Sequence, residues 1–353
     1  MASTCTESPT LQNEDHSTVR TPKCSVLSIM VSTLVTLSMA VLVLGARSAE
    51  AAPFVYVTNA SANTVSVVDR ALNSVVATVP VGQFPRGIAV TPNGKLVYVA
   101  NWTAPGSVSV IATATNTVAA TIPVGRFPNG VAITPDGKFA YVTNQKSNTV
   151  SVIATASNKV VATIPVGSTP FKAAITPNGQ FVYVTNLGSP SAPSAVSVIA
   201  TASNKVVATI PVASAYGVAI TPHGRFVYVG GVGVVSVIAT AGNKVMTTIP
   251  VGGLANDVAI TPDGRIAYVP VRNSNVWAIY TASNTVVQRI NVGNDPVNAA
   301  ITPNGNYLYV TNERSNSVSM IATISNKVIG TVSGTFSSPW DVAVGRQPAP
   351  TRR

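Results

Sequence analysis

Val150–Val166 reads VSVIATASNKVVATIPV, and the same 17 residues return at Val196–Val212, 46 positions later. Val, Ile and Thr dominate both halves of the stretch, and β-branched side chains suit a pleated surface. Between the halves stands an Asn, Asn158 in one copy and Asn204 in the other. Asn tolerates the left-handed backbone of a tight turn. The stretch therefore predicts two antiparallel strands joined by a hairpin, and the period-3.6 pattern of a helix is absent.

Extended in both directions, the stretch belongs to a unit present seven times: Phe54–Lys95, Leu96–Lys138, Phe139–Gln180, Phe181–Arg225, Phe226–Arg265, Ile266–Asn306 and Tyr307–Gln347. Each unit holds four short apolar runs. In the third they are FAYVTN (139–144), TVSVIA (149–154), KVVATIPV (159–166) and KAAIT (172–176). The hairpin between the second and third runs carries an Asn in every copy: Asn73, Asn116, Asn158, Asn204, Asn243, Asn284 and Asn326. The turn before each Tyr-Val run is Thr-Pro-x-Gly in six places, Thr134-Pro135-Asp136-Gly137 among them. Pro presets one turn dihedral and Gly supplies a positive φ. Four strands in a repeat of roughly 42 residues is the period of a β-propeller. The expected fold is all-β: a seven-bladed β-propeller of four-stranded blades over residues 52–347, followed by a short Pro/Arg tail, 348–353.

The ends of the chain predict how the ring closes. The first unit starts with its Tyr-Val strand and lacks an inner strand, and the final run, Trp340–Val344, lacks a blade. Joining them completes one blade from both termini and leaves no open ring. Ala89, Ala132, Ala174, Ala219, Ala259, Ala300 and Ala343 share one position on the inner strands, where small side chains suit crowding near the axis.

Hydrophobic residues make up 46% of the 353 and charged residues 9%, far below the roughly 25% of ordinary soluble chains. Val26–Gly45 is a run of 20 uncharged residues behind Arg20 and Lys23, and Ala49-Glu50-Ala51 follows. Basic flank, apolar core and small-residue site describe a secretory signal peptide over residues 1–51, cleaved after Ala51. The run is also long enough to stay as an uncleaved anchor, which is the one membrane contact expected. On either reading the rest is exported, to the periplasm, the medium or the cell surface, and is expected to be a monomer. Cys5 and Cys24 both lie in the leader, so the exported part has no disulfide, zinc or thiol chemistry. Without the leader 19 basic and 7 acidic side chains remain. Such a surface suits anionic partners, nucleic acid or acidic polysaccharide among them, or serves solubility alone.

At Tyr141-Val142-Thr143-Asn144, followed by SNTVSVIATASNKVVATIPVG and TPDGK, the chain resembles the YVTN family of β-propeller repeat proteins. The four letters stand intact at 56–59, 141–144, 183–186 and 309–312, and become YVAN at 98–101, YVGG at 228–231 and YVPV at 268–271. The resemblance covers about 290 residues. It implies an exported binding or surface-layer protein, with lactonases and cofactor-bearing enzymes among its relatives. Many members carry Asp after the second strand; here Asp69 alone does, which puts any role for that Asp in doubt.

Residues needed for the fold stay constant between copies, while a site breaks the symmetry. Two inner-strand positions vary most. One holds Arg86, Asn129, Phe171, Tyr216, Asn256, Val297 and Trp340; the next holds Gly87, Gly130, Lys172, Gly217, Asp257, Asn298 and Asp341. The variety thus sits on one rim of the channel. Phe171, Tyr216 and Trp340, with Trp102 nearby, suggest a platform beside Arg86 and Lys172 for a sugar, a planar ligand or single-stranded nucleic acid; ordinary packing between blades is the alternative. Asp257, Asn298 and Asp341 are oxygen donors of the kind that hold Ca²⁺; capping, water binding or pairing with Lys172 and Arg86 is the alternative. Lactonase-type propellers use a comparable arrangement. His223 lies in a Thr-Pro-x-Gly turn whose other copies have Asn or Asp, and no Ser-His-Asp set is visible. The function expected is non-catalytic binding of a protein or anionic ligand at the rim; the alternatives are a metal-dependent lactonase or hydrolase and a binder of anionic polymers.

Overall fold

Every hairpin Asn adopts the left-handed backbone its turn requires, with φ between 49° and 55°. The Gly of each Thr-Pro-x-Gly turn does the same, at 68° to 75°, and except at Thr221 the turn Thr hydroxyl donates to the side chain two residues on (Thr134 Oγ1 to Asp136 Oδ1, 2.6 Å). With both turns fixed, the four runs of each repeat pair as a meander. The computed structural model describes residues 54–345, and the leader and the 348–353 tail lie outside them.

Twenty-eight strands, from β1 (Phe54–Asn59) to β28 (Pro339–Val344), form seven four-stranded antiparallel sheets, the blades of a seven-bladed β-propeller. Blade 1 has the order β28, β1, β2 (Thr64–Asp69), β3 (Ser74–Pro80). Val344, Ala343 and Val342 pair with Val55, Tyr56 and Val57, so both ends of the chain close the ring. Blades 2 to 7 start from inner strands Pro85–Val90, Pro128–Ile133, Pro170–Ile175, Val218–Ile220, Ala259–Ile260 and Pro296–Ile301.

The core lies between blades. One cluster joins Tyr98 and Val108 of blade 2 to Val142 and Ile153 of blade 3, and equivalents recur around the ring. Each such buried aliphatic side chain contributes roughly 1.5–3 kcal/mol. The small inner-strand Ala residues are partly buried, Ala259 alone being buried, and each stands opposite the Tyr of its own blade, as Ala89 does to Tyr98. That Tyr reaches the next blade: Tyr98, Tyr141, Tyr183, Tyr228 and Tyr268 donate to Asn158, Asn204, Asn243, Asn284 and Asn326. The hairpin Asn therefore shapes a turn and also staples blades. On the two sides of blade 1 the staple is missing: Asn73 Oδ1, Asn116 Oδ1 and Tyr309 Oη have no partner.

Most inner strands start with a bulge. Pro85 pairs with Asn101 and Ile88 with Val99, so one extra residue is accommodated between them. The same irregularity occurs in blades 1, 3, 4 and 7. A bulge re-aims the side chains beside it, and here it affects the two positions that break the repeat.

Candidate functional site at the channel mouth

The Thr of the Tyr-Val-Thr-Asn motif positions the mouth. In blade 1 the Asp341 N–H donates to Thr58 Oγ1 (2.9 Å), and that hydroxyl donates to the Arg86 carbonyl of blade 2 (2.9 Å). Thr143 links Gly130 to Phe171, Thr185 links Lys172 to Tyr216, and Thr311 links Asn298 to Trp340 in the same way. Where Pro270 replaces the Thr, the Asn256 side chain donates to the Val297 carbonyl instead (3.2 Å). Asn256 is thus held in a structural bond.

The outer tier is built around Arg86. Its guanidinium lies 4.0 Å from the Trp102 ring centroid and 4.1 Å from that of Trp340. Two indoles therefore lie against one cation, and each ring adds cation–π attraction. None of the hydrogen bonds among the described residues uses the Arg86 guanidinium, and the residue is half-buried. Burial pushes its pKa down to about 10, against the pull of Glu313 and with the push of Arg272, so Arg86 stays cationic at neutral pH. Trp102 is fixed by its Nε1–H bond to Gln145 Oε1 (2.9 Å) and by edge-on packing against Phe127. Arg272 is occupied differently: Asp295 takes it with two bonds and Glu313 with one.

Beside this pair of indoles lies an apolar floor of Phe171, Val297, Trp340 and Tyr216, with Phe171 and Tyr216 edge-on at 5.5 Å. Asn129, at the ring position next to Arg86, is fully buried and neither atom of its amide has a partner. A donor and an acceptor left unsatisfied in this way cost free energy until a ligand or water meets them.

The inner tier is polar. Lys172, from blade 4, crosses the channel to blade 1, where its Nζ lies 2.8 Å from Asp341 Oδ2. Asp257 adds to the electrostatic hold on Lys172, and the two carboxylates together raise the Lys172 pKa against the burial that lowers it. Burial raises Asp257 to about 6, Lys172 opposing and Asp341 adding. Asp257 Oδ2 accepts from the Ala299 N–H (3.2 Å), and Asn298 Nδ2 donates to the Trp340 carbonyl (2.6 Å). For Ca²⁺ this set fits poorly as placed: an ammonium already holds Asp341, and Asn298 Oδ1 is the oxygen with no partner. Among the described residues no group of three or more His, Cys, Asp or Glu is gathered. Gly87 and Gly130 in this tier answer to packing: a Cβ on Gly87 would fall 2.1 Å from the Asn129 carbonyl.

Of the residues grouped from the sequence, the structure brings Arg86, Trp102 and Trp340 together, sets Phe171 beside Tyr216, and pairs Lys172 with Asp341 rather than with the aromatic platform. Sequence reading missed Arg272, Asp295 and Glu313. For Arg272 and Glu313 the signal existed, because the residue following each motif varies as much as the inner-strand positions: Ala60, Trp102, Gln145, Leu187, Val232, Arg272 and Glu313.

The fold and this mouth define a β-propeller repeat protein. Residues 235–339 match the family model described as Lactonase, 7-bladed beta-propeller, a stretch of less than half of the chain that includes Asp257 and Asn298 and stops short of Asp341. Among solved structures, Kuenenia stuttgartiensis hydrazine synthase is similar, with 26% identity and a TM-score of 0.72 over 78% of this chain and 93% of that chain. A functionally unknown protein from Desulfotomaculum acetoxidans DSM 771 is similar in fold, with 17% identity and a TM-score of 0.68 over 83% and 99% of the two chains. No curated protein matches the chain.

Proposed function

We propose that this chain is an exported, non-catalytic binding protein of the YVTN-like type, and that its channel mouth takes a small carboxylate with an apolar or planar body. The observation that carries this reading is the Arg86 guanidinium between Trp102 and Trp340. No hydrogen bond among the described residues takes its N–H groups, and a planar N–H edge matches a carboxylate with two parallel bonds. Tyr216, half-buried and edge-on to Phe171, offers the apolar body a surface. The leader supports export. The test is a tryptophan-emission titration with benzoate as probe. A saturable change in wild type that is lost in Arg86→Ala supports the reading; no change, or the same change in Arg86→Ala, refutes it.

A second reading is a lactonase-type hydrolase, favoured by the family match over residues 235–339. In its metal-dependent form it needs Lys172 to give up Asp341 to Ca²⁺. Metal analysis of the purified protein separates the readings: stoichiometric Ca²⁺, lost in an Asp257→Ala, Asp341→Ala double variant, supports the enzyme.

A further inference from the structure

The face opposite the mouth differs in chemistry from it. Each inner strand runs from the mouth to this far face, where the Asn hairpin of every blade and the Thr-Pro-x-Gly turn of blades 2 to 7 emerge. Thr113 Oγ1 ties the two hairpins of blade 2 by donating to the Gly94 carbonyl (2.7 Å), and the same bond recurs at Thr155 and Thr240. The hairpins before the Tyr-Val strands carry Lys95, Lys138, Arg225 and Arg265, and the Asn hairpins carry Lys159, Lys205, Lys244 and Lys327; all are exposed. The described acids on this face are Asp69, Asp136 and Asp263. Asp136 and Asp263 stand beside Lys138 (3.5 Å) and Arg265 (3.8 Å), which leaves the four Asn-hairpin lysines without an ion pair among the described residues.

Two apolar tips project among these cations. Ile324 is 97% exposed and Leu72 68%, on the Asn hairpins of blades 7 and 1, which are neighbours in the ring. Neither has a packing role at such exposure. The described chain also enters and leaves here, since the Gly345 N–H donates to the Phe54 carbonyl (3.0 Å). Eight residues separate Phe54 from the end of the apolar 26–45 run, and Arg346, Arg352 and Arg353 follow Gly345 in the sequence.

We propose that this far face docks on an anionic lipid bilayer, with the lysines over the headgroups and Ile324 and Leu72 in the interfacial layer. Cations attract acidic lipid, and exposed aliphatic tips gain by leaving water. Charge alone suits a nucleic acid equally well, but a phosphate backbone offers no apolar layer for Ile324. This inference is independent of the mouth.

The ring closes within Phe54–Val344, so a chain from Ala52 retains the whole fold and is free of the leader's own affinity for lipid. Flotation with vesicles of roughly 30% phosphatidylglycerol in phosphatidylcholine, at ~0.1 M salt, is the test. Binding to these vesicles and none to pure phosphatidylcholine is expected. Lys159→Gln with Lys205→Gln should weaken binding about 25-fold, at about fivefold per lysine. Arg126→Gln with Lys146→Gln, the same charge change at the mouth, should leave it intact, and Ile324→Ser should weaken it with charge unchanged. Circular dichroism of each variant checks the fold. Absence of vesicle binding, equal loss in the two double variants, or tighter binding of duplex DNA at matched phosphate would overturn the proposal.

Discussion

Replacing Lys172 with Met removes the cation from the inner tier and leaves two carboxylates buried in one channel. At the Lys172–Asp341 separation of 2.8 Å, the pair attracts by about 6 kcal/mol at an effective dielectric constant of 20. Desolvation offsets part of that gain in the wild type, but Asp341 is 6% exposed and Lys172 13%, so neither charge regains water when its partner goes. Breaking a buried pair from one side costs about 3–5 kcal/mol. Urea denaturation at pH 8 should show a loss of that size in Lys172→Met. Without the ammonium that opposes it, the folded-state pKa of Asp257 rises further above the unfolded value of about 3.9. The folded state then holds more protons than the unfolded one, so the deficit should shrink as pH falls through the raised pKa. Adding Asp341→Asn to Lys172→Met should recover most of the loss, because a missing pair is far cheaper than a broken one. A loss under about 1 kcal/mol, or a double variant no better than the single one, would refute the reasoning.

Three further outcomes follow. Asp257 is held near 6 by burial, about two units above its unfolded value, so wild-type stability should fall by roughly 3 kcal/mol as pH rises from about 4 to 6; denaturation against pH should show that slope flattened in Asp257→Asn. Asn204→Ala loses both the turn conformer and the bond from Tyr141, whereas Asn116→Ala loses the turn conformer alone; thermal unfolding should place the first about 1 kcal/mol below the second. Deleting Pro339–Val344 removes the inner strand of blade 1, and scanning calorimetry should show the cooperative transition lost or displaced far beyond the effect of a surface hexapeptide.

The blade count, the closure and both turn types could be read from the sequence because they repeat: a constraint imposed seven times writes the same letters seven times. Asn158 and Asn204 show what that reading omits, since their left-handed turns were legible and their bonds to Tyr98 and Tyr141 of the preceding blades were not. The site was half legible. Broken symmetry singled out Arg86, Trp340 and Lys172, but the same criterion flagged Gly87 and Gly130, whose identity comes from the close approach of the next inner strand. Which rim side chains meet across the axis depends on three-dimensional reach. A lysine on blade 4 finds a carboxylate on blade 1, and no spacing along the chain encodes that distance.

A crystal structure of the protein soaked with benzoate tests the central claim most directly. The account predicts a carboxylate in the plane of the Arg86 guanidinium, with Trp102 and Trp340 against the cation and the ring of the probe against Tyr216. Benzoate bound elsewhere, or an Arg86 guanidinium whose N–H edge is taken up by Glu313 or another protein group, would contradict it.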